Sequence, residues 1–218
     1  INTLGVLYIV ERGESIECLA DLAGKTLYAT GEGAAPEYAL QYLLKENGID
    51  GENAPVIHWC ADTTEALSYI AADDNAIAML PQPFVTAAQT KVDGLRVAVD
   101  LNEEWEKLDN DSEMVTGVLV VRSEFAEKYP EQLAAFMKEY EGSVQFVLQN
   151  TEQAAELIGS YEIIKAPIAK KALPNCNITF ITGEQLQTSM EGYLSVLYAM
   201  NPASVGGKLP ESDFYYGK

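Results

Sequence analysis

The residues best suited to binding a small molecule lie in the stretch YATGEGAAPEYALQYLL, residues 28–44. Gly31 and Gly33 permit backbone conformations with positive φ, and Pro36 suits the first turn of a helix. A strand, a glycine turn and a helix N-terminus leave backbone N–H groups free to bind an anion. We therefore predict a ligand-binding loop at residues 31–36. The alternative is a loop that needs two glycines only in order to turn.

The pattern of this loop does not match the common nucleotide-binding motifs. A dinucleotide fingerprint has a third glycine where this chain has Pro36, and the Gly-Lys-Ser or Gly-Lys-Thr of a phosphate-binding loop does not follow. Glu32 disfavours an anion unless its side chain points to solvent, and it favours an amine or a zwitterion. The predicted ligand-binding residues of the loop are Gly31, Glu32, Gly33, Ala34, Ala35 and Pro36. Among them, the backbone N–H groups of Gly33, Ala34 and Ala35 are the predicted contacts.

Three residues outside the loop complete the predicted site. Gln82 stands between two prolines after the apolar run at residues 76–80, and open α/β sheets bind ligands at such strand ends. Thr116 and Gly117 lie inside the apolar run MVTGVLVV, where a glycine often marks the close approach of a ligand or of another backbone. The alternatives are a proline-bounded turn for Gln82 and a β-bulge for Gly117.

Aromatic residues are candidates for stacking on a ligand. Tyr38, in the helix after the loop, and Trp59, in the next predicted strand, are the preferred ones. Trp105 and the aromatic run at residues 214–216 are further candidates. Single aromatic residues more often pack in a core or on a surface, which is the alternative for each of them.

The sequence contains no recognised catalytic or metal-binding motif. His58 is the single histidine, and no serine or cysteine stands beside it in a known pattern. Cys18, Cys60 and Cys176 form no CxxC pair, so we expect buried thiols and neither a metal site nor a cofactor. We therefore predict that the protein is not an enzyme.

The overall charge of the chain is strongly negative. Lysine and arginine number 14, aspartate and glutamate number 33, and the formal net charge is −19. Nucleic acid is therefore not an expected partner, because binding it requires a basic face. No apolar run approaches the ~20 residues of a membrane-spanning helix.

The order of predicted elements divides the chain into two lobes. Residues 1–101 alternate strand and helix patterns, as in an α/β ligand-binding lobe. Residues 102–113, NEEWEKLDNDSE, are acidic and polar, and we predict that they cross between the lobes. Residues 114–218 show one strand pattern, over 114–121, followed by about four helices. Because those helices need a sheet to cover, we predict that further strands of this lobe precede Ile1.

Four segments together resemble a known family. They are DLAGKTLYATGEGAAPEYALQYLLKENGID (21–50), AMLPQPFVTAA (78–88), VTGVLVVRSEFAEKYPEQLAAFMKEY (115–140) and VGGKLPESDFYY (205–216). In these segments the chain resembles the substrate-binding components of ABC importers, in the NMT1-like branch that includes sulfonate, nitrate, taurine and thiamine-pyrimidine binders.

This resemblance implies an α/β fold of the type II periplasmic-binding-protein class, in which two lobes close over a ligand about a hinge. It implies that residues 31–36 present amides to the ligand and that Gln82 lines the same cleft. It also implies that the strand of Thr116 and Gly117 returns to the other lobe. That lobe includes an N-terminal portion in the family, so we expect a truncated fragment with an incomplete first lobe.

The function implied by the resemblance is the capture of a small polar or anionic molecule and its delivery to an ABC permease in the membrane. The implied location is extracytoplasmic, either periplasmic or lipid-anchored at the cell surface. Two alternatives stay open. One is an enzyme on the same architecture, such as a pyrimidine-precursor synthase or a dehydratase, with His58 or a cleft carboxylate as base. The other is a ligand-sensing regulatory module.

Overall fold

A computed structural model describes residues 1–108 and 110–217. The strands within these residues are β1 (Thr3–Leu4), β2 (Leu7–Glu11), β3 (Thr26–Thr30), β4 (Val56–Cys60), β5 (Ile77–Pro81), β6 (Arg96–Asp100) and β7 (Val115–Gly117). Five of these strands form one sheet in the spatial order β4-β3-β5-β2-β6, and β1 pairs with β7 separately. The strand patterns predicted in residues 1–101 therefore build a single sheet.

The helices alternate with the strands in the first half of the chain and follow one another in the second. They are α1 (Ala35–Glu46), α2 (Thr63–Ala72), α3 (Phe84–Gln89), α4 (Leu101–Glu106), α5 (Ser123–Lys128), α6 (Pro130–Gln149), α7 (Thr151–Ser160), α8 (Ala166–Ala172) and α9 (Gly183–Met200). Pro36, Pro130 and Pro167 each lie in the first turn of a helix, where proline costs no intrahelical hydrogen bond.

Strand direction places four helix starts at one edge of the sheet. Strand β3 is parallel to β4 and β5, whereas β2 is antiparallel to both β5 and β6. Strands β3, β4, β5 and β6 consequently point the same way, and α1 to α4 begin where they end. We call this side of the sheet the carboxyl edge. The first residue of β2, Leu7, lies opposite Pro81 at the same edge.

The sheet is covered by helices on both faces. The core on one face, with α1, α4 and α9, includes Ile9, Leu40, Met79, Trp105 and Leu197. The core on the other face, with α2 and α3, includes Val10, Ile70, Ala78 and Val85. Neighbouring residues of β2 and β5 thus enter opposite cores, which explains why these strands are almost continuously apolar.

The short pair of β1 and β7 connects the sheet to the rest of the chain. Thr3 lies opposite Gly117 and Leu4 opposite Val115, with an irregular register between Thr3 and Leu4. Strand β1 leads directly into β2, which enters the sheet at the carboxyl edge. The β1–β7 pair therefore lies beside that edge.

The strand predicted over residues 114–121 is shorter in the structure. Only Val115–Gly117 is a strand, and residues 118–121 have no strand partner among the described residues. Their side chains are exposed, with Val120 at 84%. The apolar pattern predicted a buried strand because a pattern reports hydrophobicity and carries no information about a neighbouring strand.

The acidic segment 102–113 is partly helical. Asp100 is the N-cap of α4, and its carboxylate accepts hydrogen bonds from the amides of Asn102 and Glu103. Trp105 is fully buried, and its Nε1 donates to Ser112 Oγ at 2.9 Å. Asp109 lies outside the described residues. The first half of this segment is therefore packed on the sheet through its single tryptophan.

The helices of the second half leave large apolar side chains in contact with solvent. We call this surface the apolar face, and its most exposed members are Phe136, Phe146, Leu148, Leu157, Tyr161 and Ile163. Tyr161 and Ile163 are each about three-quarters exposed, at 75% and 74%. An apolar surface of this kind normally packs against another element.

Candidate functional site

The structure brings two of the three predicted site segments together at the carboxyl edge. The loop at residues 31–36 follows β3, and Gln82 follows β5, which is the neighbouring strand. The end of β4 lies on the other side of β3, with Thr30 opposite Cys60. The edge is therefore lined by consecutive strand ends, which is where open α/β sheets place their ligands.

The loop after β3 turns through its two glycines. Gly31 has φ 93° and Gly33 has φ 73°, both in the region that favours glycine. A Cβ atom at Gly31 would lie 2.8 Å from Cγ of Pro36, whereas a Cβ at Gly33 would meet nothing within 4 Å. The loop is therefore folded tightly onto the Pro36 ring. Pro36 is the second residue of α1 and lies in its first turn, as predicted.

Most of the predicted amide contacts in this loop are bonded within the chain. The Gly33 amide donates to Oε2 of Glu37 at 2.6 Å, and the Ala34 amide donates to the Gly31 carbonyl at 3.1 Å. Of the three predicted amides, that of Ala35 alone has no partner among the described residues. The structure therefore corrects the predicted cradle of three free amides to one.

Glu37 is a residue that the sequence analysis missed. Its second carboxylate oxygen, Oε1, accepts a hydrogen bond from Nε2 of Gln41 at 2.8 Å, and this bond fixes the carboxylate over the loop. The signal was present in the sequence, because a glutamate three residues after a helix N-cap commonly bonds back to preceding amides. The loop amide just before the N-cap Ala34 is therefore bonded to an acidic side chain of the helix itself, whereas the Ala35 amide has no partner among the described residues.

Gln82 is held at the end of β5 by its backbone and by one side of its amide group. Its backbone N–H donates to the Val6 carbonyl at 2.9 Å, next to β1. Its Oε1 accepts hydrogen bonds from Thr86 N and Oγ1, at 3.3 and 3.0 Å. The residue is 8% exposed, and its Nε2 has no partner among the described residues. Gln82 can therefore offer a hydrogen-bond donor at the carboxyl edge.

Thr116 and Gly117 lie on β7, beside the edge and outside the five-stranded sheet. A Cβ atom at Gly117 would collide with the side chains of Asn2 and Thr3. The close approach that this glycine allows is therefore that of β1 and the residue before it, and the register is also irregular at this point. Thr116 is exposed.

The connection beside the edge is fixed by hydrogen bonds to both halves of the chain. The Gly5 amide donates to Oδ1 of Asn102 at 3.0 Å, and its carbonyl accepts from Nδ2 of Asn177. The Tyr8 hydroxyl donates to the Asn175 carbonyl at 2.7 Å, and burial raises the pKa of Tyr8 far above its ordinary value. These long-range contacts could not be read from sequence.

Of the predicted stacking residues, Tyr38 and Trp105 are buried and unavailable to a ligand, whereas Phe214 and Tyr216 are exposed, at 62% and 48%. Tyr38 is buried, and its hydroxyl accepts from Nδ2 of Asn201 at 2.8 Å. Trp59 packs against the core on the α1 face, and Trp105 is fully buried. By contrast, Phe84 begins α3 at the carboxyl edge and is 44% exposed. Its position directly after Pro81-Gln82-Pro83 was the sequence signal for this residue.

His58 lies among aromatic rings in the edge strand of the sheet. Its ring contacts those of Tyr28 and Tyr69 edge-on, at centroid distances of 5.4 and 5.3 Å. Its Nε2 lies 3.5 Å from the Tyr69 hydroxyl. No carboxylate or thiol among the described residues bonds to the ring, so this part of the chain has no acid–base pair of the usual kind around His58.

The acidic groups at the edge include one with a perturbed ionisation. Burial raises the pKa of Asp100, while the hydrogen bonds from the amides of Asn102 and Glu103 oppose that shift.

No group of three His, Cys, Asp or Glu side chains suited to a metal ion occurs in residues 1–108 and 110–217. Among the helices of this described part, none combines the length and hydropathy needed to cross a bilayer.

Two concavities occur away from the predicted site. One of about 290 Å³ is lined by residues that include Leu148, Leu173 and Asn177. The other, of about 400 Å³, lies between α6 and α7 and includes Phe146 and Leu157 of the apolar face. Neither is lined by any predicted site residue. Both are depressions in the surface that the second-half helices leave open.

Comparison with known proteins gives one family model and several similar folds. The model described as NMT1/THI5 like matches residues 1–154. No curated protein matches the chain.

Three solved structures illustrate the fold similarity. A structure of an ABC transporter from Parabacteroides distasonis is 23% identical with a TM-score of 0.78, covering 100% of this chain and 72% of that one. The periplasmic aliphatic sulphonate binding protein SsuA from Escherichia coli is 16% identical with a TM-score of 0.66, and the match covers 100% of this chain and 71% of that one. The alkanesulfonate-binding protein SsuA from Xanthomonas axonopodis pv. citri, bound to MOPS, is 12% identical with a TM-score of 0.61, and the match covers 91% of this chain and 68% of that one. These similarities confirm the predicted α/β, type II periplasmic-binding-protein-like fold.

Proposed function

Because the chain belongs to the NMT1/THI5-like family, we propose that it is the solute-binding component of an ABC importer. It captures a small polar molecule in a cleft between two lobes and delivers it to a membrane permease. The observation that carries this proposal is the meeting of the loop at residues 31–36 with Gln82 at one sheet edge, beside the connecting pair of β1 and β7.

The proposed site consists of the carboxyl edge and the strand beside it. Its members are Gly31, Glu32, Gly33, Ala34, Ala35, Pro36, Gln82, Thr116 and Gly117. To these we add Phe84, whose exposed ring can cover an apolar surface of the solute, and Glu37, which shapes the loop. Gln82 supplies a donor from a nearly buried side chain, and such groups fix the orientation of a ligand.

The proposed division into lobes follows the sheet. In this proposal residues 1–101 form the α/β ligand-binding lobe with its entry strand and residues 102–113 lead to the crossover. Residues 114–218 belong to the other lobe except for α9, which packs against α1 in the core of the ligand-binding lobe. Two antiparallel connections, β1 and β7, support this division because they join the halves beside the edge. Closure then rotates one lobe against the other about residues near Gly5 and Val115.

The incomplete first lobe, which contains residues 118–121, is completed by further polypeptide in this proposal. The support comes from residues 118–121, which are apolar, exposed and without a strand partner in the described part, and from the apolar face. A strand or helix seated there buries the same side chains that now contact solvent.

The proposed location is outside the cytoplasm, periplasmic or attached to the cell surface by a lipid anchor. Solute-binding components work next to the permease, and the excess of acidic side chains suits a protein that diffuses freely and does not adhere to nucleic acid or anionic lipid.

We propose that the protein binds its solute and releases it chemically unchanged. The test incubates the full-length protein with a panel of sulfonates, nitrate, amino acids, amines and N-heterocycles, and measures both binding and product formation. Calorimetry is expected to give one site per chain, and mass spectrometry of the released solute is expected to give an unchanged mass. A converted solute would show an enzyme, and loss of conversion in His58→Asn would assign its base. Absence of binding across the panel would contradict the importer function.

A further inference from the structure

Side chains of the chain itself bond to backbone amides at or beside all four helix starts of the carboxyl edge. At α1, Glu37 accepts from the amide of Gly33, the residue before the N-cap Ala34, at 2.6 Å. Helix α3 is capped by Oε1 of Gln82. The other two helices are capped by aspartates, Asp62 for α2 and Asp100 for α4.

The caps of α2 and α4 are carboxylates, which are stronger hydrogen-bond acceptors than neutral oxygens. Asp62 Oδ1 accepts from the amides of Thr64 and Glu65 at 2.8 and 2.9 Å, and Glu65 itself accepts from the Ala61 amide at 2.7 Å. An anionic ligand at a helix N-terminus binds through free amides and the positive end of the helix dipole. Here a tethered carboxylate already takes that position in α2 and α4, and the Glu37 carboxylate bonds to the loop just before α1. An anionic head group would have to displace it.

The charged residues at the carboxyl edge are acidic, like the carboxylates that bond to the helix starts. The segments that start helices there are residues 30–37, 60–65, 81–86 and 100–103. Their acidic residues are Glu32, Glu37, Asp62, Glu65, Asp100 and Glu103, and the same segments contain no lysine, arginine or histidine. The basic residues Lys25 and Arg96 stand at the beginnings of β3 and β6, which is the opposite edge.

A second, independent observation points to a ligand at this edge. Gln82 is 8% exposed and its Oε1 is engaged, yet its Nε2 has no partner in the described part of the chain. Within that part, Tyr215 Oη is the buried polar side-chain atom that is both unbonded and closed off from solvent. The Gln82 Nε2 therefore retains contact with solvent, and the exposed Phe84 follows two residues later at the start of α3.

We infer that the cleft takes a small organic cation, a protonated or quaternary amine that carries a hydrogen-bond acceptor, and that Glu32 and Glu37 select it against anions. This inference rests on the proposed function and names its ligand class. The carboxylates face the positive nitrogen, the ring of Phe84 offers a cation–π surface, and Gln82 Nε2 donates to the acceptor.

The test uses two probes with one skeleton and opposite charge. Choline and isethionate share a hydroxyethyl arm, and one ends in a trimethylammonium group and the other in a sulfonate. Titration calorimetry on the full-length protein is expected to show binding of choline that weakens with added salt, and weaker or no binding of isethionate.

Charge-neutral variants assign the selection to named residues. Glu37→Gln keeps an oxygen for the Gly33 amide but removes the charge, and Glu32→Gln removes the second charge. Each is expected to weaken choline binding about two- to fivefold. The matched control is Glu46→Gln at the far end of α1, which is expected to leave the affinity unchanged. Thermal melting of each variant checks that it folds as the parent does.

Three outcomes overturn the inference. Tighter binding of isethionate than of choline would do so and would leave the importer function standing. Unchanged choline affinity in both Glu32→Gln and Glu37→Gln would remove their assigned role. Failure of choline to bind contradicts the ligand class, and binding of another solute in the wider panel then shows whether the importer function survives.

Discussion

The carboxylate of Glu37 accepts a hydrogen bond from the backbone amide of Gly33, with 2.6 Å between Oε2 and N. This one contact ties the first turn of α1 back to the loop that precedes it. It also changes the character of the loop, because the amide predicted to bind a ligand is satisfied by an acidic side chain of the same helix.

Replacing Glu37 by alanine is expected to destabilise the protein by about 1 kcal/mol, because the Gly33 amide loses its acceptor. Urea denaturation measures the change. Glu46→Ala is the control, since Glu46 is exposed at the C-terminal end of the same helix, where an acidic side chain opposes the helix dipole. Equal losses in the two variants would contradict a capping role for Glu37.

The two loop glycines are expected to differ in their tolerance of alanine. Gly31→Ala should cost at least ~2 kcal/mol, because positive φ is combined with a collision against Pro36. Gly33→Ala should cost about 1 kcal/mol, since its only penalty is the backbone conformation. Urea midpoints of both variants test this ranking, and a larger loss at Gly33 would refute the described loop geometry.

Glu11 is expected to make stability depend on pH. It is 1% exposed, and burial opposes its ionisation. Hydrogen bonds from Ser15 and Ile16 and the guanidinium of Arg96 outweigh burial and hold the pKa of Glu11 below its ordinary value of 4.5. Because the folded pKa is lowered, the stabilisation is complete above pH 4.5 and is lost as pH falls through the folded value.

Glu11→Gln should therefore lower the free energy of unfolding by about 3 kcal/mol at neutral pH, and the difference from the parent should shrink below pH 4.5. Denaturant titrations at a series of pH values supply the measurement. The matched control is Asp74→Asn, which breaks the surface pair with Arg12 and should change stability by less than ~0.5 kcal/mol. A difference that stays constant with pH would rule out the charged state of Glu11 as its source.

The three cysteines are expected to react with a thiol reagent at different rates. Burial raises the pKa of the Cys60 and Cys176 thiols, which lowers their thiolate fraction at neutral pH, whereas Cys18 is exposed. Treatment of the native protein with Ellman's reagent should modify one thiol quickly, and Cys18→Ser should remove that fast phase. Two fast thiols in the native protein would show that one of the others is accessible. The expectation of buried thiols from sequence was thus wrong for Cys18.

Hydrogen exchange tests the proposed completion of the incomplete first lobe. If further polypeptide pairs with residues 118–121, their backbone amides should exchange slowly in the full-length protein. Mass spectrometry of proteolytic peptides covering these residues measures the rate, with the buried strand β5 as the slow reference. Exchange at the rate of an unstructured peptide would be inconsistent with an added strand there.

Local patterns predicted much of the first half of the chain. The positive φ of Gly31 and Gly33 and the placement of Gln82 at a strand end follow from residue types and their immediate neighbours. The cap formed by Glu37 was also within reach of sequence reasoning, since it depends on a spacing of three residues from Ala34.

Other features depend on contacts between distant residues and could not be predicted in this way. The insertion of β2 between β5 and β6, antiparallel to both, is decided by sheet pairing across about 70 residues or more. The hydrogen bonds of Gly5 to Asn102 and Asn177 join three parts of the chain. Residues 118–121 show a related limit of local patterns. Their apolar side chains predict a buried strand, but the pattern does not tell whether a neighbouring strand is present to bury them.

The packing of α9 against α1 has a consequence for the order in which the protein is made. Leu197 belongs to the same core as Ile9 and Leu40, and Asn201 bonds to the Tyr38 hydroxyl. A chain that emerges from its N-terminus and has supplied the whole sheet has therefore not yet supplied one wall of the core of that sheet. The nascent sheet keeps that face open until α9 emerges, and during this interval a chaperone would find its binding surface on the α1 side.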